Sequence, residues 1–297
     1  MFFSFSSRPF QVSKKLNKGL SLAGHLIIIK GKGAYKKGGI SLDRLMEGKA
    51  GLVTGAGSGI GRGSALAFAQ AGAKVMVSDK NEDSGKETVR LIEEAGGTAA
   101  FFRCDVSNED DVKALVDATV AEFGRLDFAH NNAGIAAKVA PIAESDSADF
   151  DRVIQTNLYG TYYSMKHEVR AMLKTGGAIV NTSSGAGLEG VQNMIDYVAS
   201  KFGINGMTKT AALEYSRHGI RVNAICPGLT ATPDVENWFT AAPEQAKAIT
   251  ATLPSGKLAT PNDVGNAAVF LCSDLAGQIN GVTLPIDGGF SVGKFQG

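Results

Sequence analysis

At 297 residues, 44% of them hydrophobic and 20% charged, the chain can bury a substantial core as one large domain or two small ones. Its net charge is +1, but residues 1–42 hold eight of the 30 Lys/Arg and no Asp or Glu, leaving 22 basic against 29 acidic residues in the rest. Such a body has no electrostatic footprint for nucleic acid.

The three cysteines, Cys104, Cys226 and Cys272, form no close pair and no metal-ligand spacing, the usage of a reducing compartment. The four histidines are scattered without an HExxH-like unit, so no metal site is expected. The first 45 residues are rich in Phe, Ser, Lys and Gly without a sustained period, and read as a basic, disordered extension. Their apolar run at 26–29 is far too short to span a bilayer. Three readings stay open for this extension: sequence upstream of a start at Met46, a mitochondrial presequence, or a secretory signal. The first implies a cytoplasmic protein and the second an imported one.

From residue 49 short apolar runs alternate with helical stretches, as in a parallel sheet covered on both faces. The first strand, 50–54, runs into Thr54-Gly55-Ala56-Gly57-Ser58-Gly59-Ile60-Gly61, and a helix follows at 60–71. Missing side chains at Gly55, Gly59 and Gly61 let the turn tighten and a pyrophosphate approach backbone N–H groups at a helix N-terminus. Glycines kept only for helix–strand packing give the same pattern. No Gly-Lys-Ser/Thr follows, which excludes a P-loop.

Asp79 ends the second strand, 74–79, twenty residues after Gly59. An acid there accepts from adenosine ribose hydroxyls and repels a 2′-phosphate, which favours NAD over NADP; Lys80 and Arg62 are close enough to blunt that repulsion. A helix at 82–95, a strand at 99–103, a helix at 109–123 and a strand at 126–131 come next. Ser107, three residues before Asp110, resembles a capping-box start, and Gly72, Gly96, Gly124 and Gly219 fall where helices should stop. A long helix at 150–173, a strand at 178–182, a helix at 197–216, a strand at 221–226, a helix at 262–272 and a strand at 282–286 complete a doubly wound, seven-stranded α/β sheet.

Tyr197 and Lys201, at i and i+4, share a helix face. An ammonium there, helped by a positive nicotinamide, is expected to pull the phenol from about 10 toward neutrality, where proton transfer is efficient. Ser184, thirteen residues upstream beyond a buried strand, is placed to hold a substrate oxygen beside the hydroxyl.

With these residues the chain resembles the classical short-chain dehydrogenase/reductase family from about residue 46 to 289. The carrying motifs are Thr54-Gly55-x-x-x-Gly59-x-Gly61, Asn131-Asn132-Ala133-Gly134, Asn157, Ser184, Tyr197-x-x-x-Lys201 and Pro227-Gly228. The resemblance implies a single Rossmann-fold domain over 46–297, with Tyr197 as general acid/base and Ser184 polarising the carbonyl or alcohol; Ser183 is the neighbouring alternative, and the thirteen-residue offset to Tyr197 favours Ser184. Lys201 would bind the nicotinamide ribose and Asn157 would place a relay water. It further implies cofactor contacts from Ser58, Ile60, Asp105, Val106, Asn132, Ala133, Gly134, Thr230 and Thr232, a substrate lid near 229–258, and a homotetramer. Asn193, Met194, Ile195, Trp238, Phe239 and Leu253 suit a hydrophobic or cyclic secondary alcohol. A 3-oxoacyl-carrier-protein reductase ranks second, and a noncatalytic dinucleotide sensor is the alternative of another class.

Overall fold

The computed structural model describes residues 44–136 and 138–293; the expected extension therefore lies almost wholly outside the described residues. Seven parallel strands form one sheet in the order β3-β2-β1-β4-β5-β6-β7: β1 Ala50–Thr54, β2 Lys74–Asp79, β3 Thr98–Arg103, β4 Phe128–Asn131, β5 Gly177–Thr182, β6 Ile220–Pro227 and β7 Thr283–Ile286. The order reverses between β1 and β4, where Leu52 pairs with Ala129. At such a switch point the loops leaving neighbouring strands part in opposite directions and open a crevice at the carboxyl edge.

Helices cover both faces. α1 (Gly59–Gln70), α2 (Glu82–Glu94) and α9 (Pro261–Cys272) pack on one side, and α3 (Glu109–Phe123), α5 (Gly160–Met172) and α6 (Ile195–Tyr215) on the other. With both faces covered, β1 and β4 are buried at every residue; β1 reads as a continuous apolar run ending at Thr54, while β4 carries the buried polar pair His130 and Asn131 at its carboxyl end. Phe68 of α1 stacks on Phe128 of β4 with ring centroids 4.2 Å apart, anchoring α1 beneath the switch point.

α1 and α9 meet through glycine. A Cβ at Gly63 would stand 2.6 Å from Pro261 Cβ, and one at Gly265 would stand 2.9 Å from the Gly63 carbonyl oxygen. The helices can approach this closely only because both positions lack a side chain. Met46 is buried in the same core, and its N–H bonds the Ala71 carbonyl at 2.9 Å.

Three local expectations change. α3 is capped by Asn108, whose side chain accepts from the N–H groups of Asp110 (2.9 Å) and Asp111 (3.3 Å); Ser107 instead donates its hydroxyl to Asp105. The helix expected over 150–173 is α4 (Ser147–Val153), then a π-helical turn at Ile154–Tyr159, then α5. Segment 229–258 contains two short helices, α7 (Pro233–Ala241) and α8 (Pro243–Thr252), each opened by a proline whose fixed φ suits a first helical turn. Gly72, Gly96, Gly124 and Gly219 all take left-handed φ values at helix ends, as expected.

Candidate active site

The glycine turn closes on itself before any ligand is considered. Gly55 (φ +61°) and Gly59 (φ +49°) adopt backbone that L side chains avoid, and a Cβ at Gly61 would stand 2.0 Å from the Gly55 carbonyl oxygen. Packing alone therefore accounts for part of the motif. What it leaves over is a helix N-terminus: Ser58 is exposed, caps α1 without a side-chain bond, and leads into the partly exposed Gly59 and Ile60. Unpaired first-turn N–H groups at a switch point suit a pyrophosphate.

The floor of the crevice is built from β4. Thr54 Oγ1 accepts from the N–H groups of Asn132 (3.0 Å) and Ala133 (3.1 Å), while Asn132 Nδ2 donates to the carbonyls of Thr54 (3.1 Å) and Gly55 (3.3 Å). These bonds tie 132–134 to the glycine turn. Thr54 was not among the expected contacts; its signal is its place as the last strand residue before Gly55.

Asp79 ends β2 with its carboxylate accepting from Gly57 N–H at 2.8 Å and Asn81 N–H at 2.9 Å. Arg62 does not stand free beside it: the guanidinium donates to Thr88 Oγ1 at 3.0 Å and to the carbonyls of Gly57 and Ser84. A further cation, not singled out from the sequence, is the register partner of Asp79. Arg103 ends β3 directly opposite Asp79 and donates to the Lys80 carbonyl at 3.3 Å.

Asp105 folds into a turn, accepting from the N–H and hydroxyl of Ser107, and that hydroxyl bond holds its carboxyl below the usual range. Val106 is buried against Gly160. At the far rim Gly228 N–H bonds the Ile286 carbonyl after the buried Pro227, and buried Thr230 donates to the Gly228 carbonyl. Thr232 crosses to the glycine turn, its Cγ2 3.1 Å from where a Gly59 Cβ would stand.

The chemical groups meet at the carboxyl edge of β4 and β5. Lys201 is buried on α6 and donates from Nζ to the Thr182 carbonyl at 2.9 Å, with Nζ 5.3 Å from the Tyr197 ring centroid. Ser184 sits beside the phenol, where it favours the ionised form, and caps the following turn through Ala186 N–H at 3.1 Å. Asn157 sits in the π-helical turn, its side chain exchanging two bonds with Ile135, N–H to Oδ1 at 2.8 Å and Nδ2 to carbonyl at 3.0 Å. A Cβ on Gly134 would stand 3.2 Å from Asn157 Oδ1 and 3.7 Å from Lys201 Nζ, so the floor and the proton-handling groups share one small space. The π turn shifts the helix register and turns Asn157 toward that space.

In the chain by itself, burial outweighs the neighbouring ammonium at the phenol. Burial pushes the Tyr197 hydroxyl above its ordinary value, with Ser184 opposing, and burial pulls Lys201 down to about 8. Desolvation acts on both groups, and one of the three ammonium N–H groups is engaged by the Thr182 carbonyl.

A family profile described as enoyl-(acyl carrier protein) reductase matches residues 55–291. The chain belongs to the short-chain dehydrogenase/reductase family. A 2,5-dichloro-2,5-cyclohexadiene-1,4-diol dehydrogenase of Sphingobium indicum is 41% identical over 83% of this chain and 98% of its own. A cyclohexanol dehydrogenase of Acinetobacter sp. is 43% identical over 82% and 95%. Among solved structures, a candidate 2-deoxy-D-gluconate 3-dehydrogenase from Agrobacterium tumefaciens with bound NADP superimposes with a TM-score of 0.78 at 32% identity, covering 84% of this chain and all of that one. Among the described residues of this family member, no helix is long and apolar enough to cross a membrane.

Proposed function

We propose that this dehydrogenase/reductase interconverts a cyclic secondary alcohol and its ketone with NAD. The observation that carries the reading is the convergence of Ser184, Tyr197, Lys201, Asn157 and Gly134 beside the β1/β4 switch point. Relatives acting on cyclohexanol and on a cyclohexadiene diol support a six-membered ring.

The residues present fit a dinucleotide: an uncapped helix N-terminus for the pyrophosphate, Asp79 for the ribose, Asp105 and Val106 for the adenine, and Asn132, Ala133 and Gly134 as floor. When bound, the dinucleotide exchanges hydride with the substrate carbon. The chain supplies the proton. Ser184 donates to the substrate oxygen and Tyr197 passes it a proton, so developing oxyanion charge meets two donors in a partly desolvated site. Lys201, Asn157 and Ser200, the last 3.4 Å from Asn157 Nδ2, line the route by which that proton is replaced.

The preference for NAD rests on Asp79, whose carboxylate is fixed by two backbone N–H groups and repels a 2′-phosphate. Arg103 and Lys80 limit how strict that preference is. The description of the matching profile favours a second reading, reduction of an acyl-carrier-bound substrate. Against it, segment 229–258, proposed as the substrate lid, presents Asp234, Glu236 and Glu244 against Lys247 and Lys257, a poor face for a phosphate-bearing carrier.

A homotetramer would cover the exposed Tyr159, Tyr162 and Phe202 of the central helices. The deciding experiment is a coupled screen of cyclic alcohols, diols and acyl thioesters with NAD and NADP in parallel. Turnover of a cyclic alcohol with NAD is expected. Stoichiometric NADH binding without turnover of any substrate would favour a sensor and sink the catalytic reading.

A further inference from the structure

Under the carboxyl end of β4 lies a buried acid that the redox site does not use. Glu168 of α5 is fully buried, and among the described residues no cation pairs with it. Its Oε2 accepts from Asn131 Nδ2 at 2.9 Å. The second N–H of that amide goes to Asn181 Oδ1 at 3.0 Å, directly across the β4–β5 register, so both Asn131 donors are spent.

What remains on the two bonded groups is Asn131 Oδ1 and Glu168 Oε1, and among the described residues each is buried without a partner. Two unsatisfied acceptors on one already bonded pair lack one proton. A carboxylate cannot supply it, because it only accepts; a carboxylic acid can, through Oε1–H to Oδ1. The same burial raises the Glu168 carboxyl to about 8, in keeping with an acid form at neutral pH.

We propose that Glu168 is a positioning residue, held as a neutral carboxylic acid that closes a two-bond acid–amide pair with Asn131 and thereby fixes the point where the 132–134 floor leaves β4. The next two residues, Asn132 and Ala133, donate their N–H groups to Thr54, and Gly134 lies against Asn157 and Lys201. A shift of Asn131 is therefore passed directly to the crevice. The positioning half rests on the dinucleotide reading above; the protonation half does not.

The surroundings hold few rivals for the proton. On β5, Asn181 gives its amide to Thr208 of α6 and to Met165 of α5. On β4, His130 is bonded to Thr182 and kept neutral by burial, which pulls it down to about 3. α3 buries Val112, Leu115, Val116 and Thr119 and turns Glu109 to Lys166 and His167. Lys201 of α6 is bonded to the Thr182 carbonyl, and Cys272 of α9 senses Glu168 across the sheet.

The test uses the full chain, Glu168→Gln and Glu168→Leu. Glutamine keeps the acceptor and supplies the donor permanently. At neutral pH the wild type should show a protonated-carboxyl infrared band that Glu168→Gln lacks. NADH affinity of the wild type should weaken several-fold from about pH 7 to about pH 9 as the acid ionises, while Glu168→Gln holds its affinity throughout. Glu168→Leu should bind NADH roughly tenfold more weakly at every pH, about 1.4 kcal/mol.

Absence of the band, or a Glu168→Gln protein that loses tenfold at about pH 6, would overturn the neutral acid. Superimposed pH profiles of wild type and Glu168→Gln would overturn the positioning role. A wild-type chain that binds no NADH would remove the dinucleotide reading and the positioning half with it, and the infrared band would then still decide the protonation.

Discussion

Tyr197 and Lys201 respond to burial more than to each other. The phenol is held up and the amine is drawn down to about 8, so the chain by itself does not prepare a phenolate at neutral pH. The remaining stabilisation falls to the positive nicotinamide expected beside them. Tyr197→Phe should therefore keep NADH binding, read by fluorescence, and lose about a hundredfold to ten-thousandfold in turnover. Lys201→Met removes the one ammonium near the phenol among the described residues, so the limb of alcohol oxidation that rises with pH should move to higher pH, measured as initial rate against pH. The signs agree: losing a nearby positive charge disfavours phenolate. Asn157→Ala strands both polar groups of Ile135 and should cost about 1–3 kcal/mol in denaturant melts.

At the scale of elements, α1 and its glycine turn are the most sensitive place. Gly61→Ala drives a methyl into the Gly55 carbonyl, which has no flexible end to move aside, and should abolish NADH binding at concentrations where the wild type saturates. The same elements show how far the sequence could be read. Buried parallel strands announce themselves as short apolar runs, and left-handed backbone calls for glycine, so the order of strands and the Gly55–Gly59–Gly61 cradle were legible. Tyr197, Lys201 and Ser184 were legible because one helical turn and one strand end set their separation. The π turn around Asn157 was not, since a one-residue widening of a helix leaves no mark in apolar spacing. Glu168 looked like one more polar residue on a helix, and only the packing of α5 on the sheet reveals that it is buried. α7 and α8 were hidden by a Thr- and Ala-rich stretch that buries no residue of either helix. Trp238 and Leu253, grouped together as lid residues, part company: Leu253 is buried and Trp238 is 40% exposed.

For the molecule as a whole, two buried groups set opposing slopes of stability against pH. His130 has its folded value lowered to about 3, so between there and about 6.5 the unfolded chain binds more protons and stability falls as pH falls. Glu168 has its folded value raised from 4.5 to about 8, so across that window the folded chain binds more protons and stability falls as pH rises. Between about 4.5 and about 6.5 the slopes offset each other. Thermal melts should show a plateau there, a fall toward acid from His130 joined by Asp105 and other carboxyls held below their ordinary values, and a fall toward about 8 that Glu168→Gln removes, each single-group limb on the order of 1 kcal/mol per pH unit. Matching slopes for wild type and Glu168→Gln above about 6.5 would contradict this.

The glycine contact between α1 and α9 carries a consequence for biosynthesis. The helix that begins at Ser58 is completed by a surface that starts at Pro261, some two hundred residues later in the chain. A nascent polypeptide emerging from the ribosome exposes Gly63 long before its cover exists, and the order of translation places nucleotide capture among the last events of maturation. Ribosome-stalled chains ending near residue 258 should hold no dinucleotide, and those extended past Cys272 and the exit tunnel should acquire it.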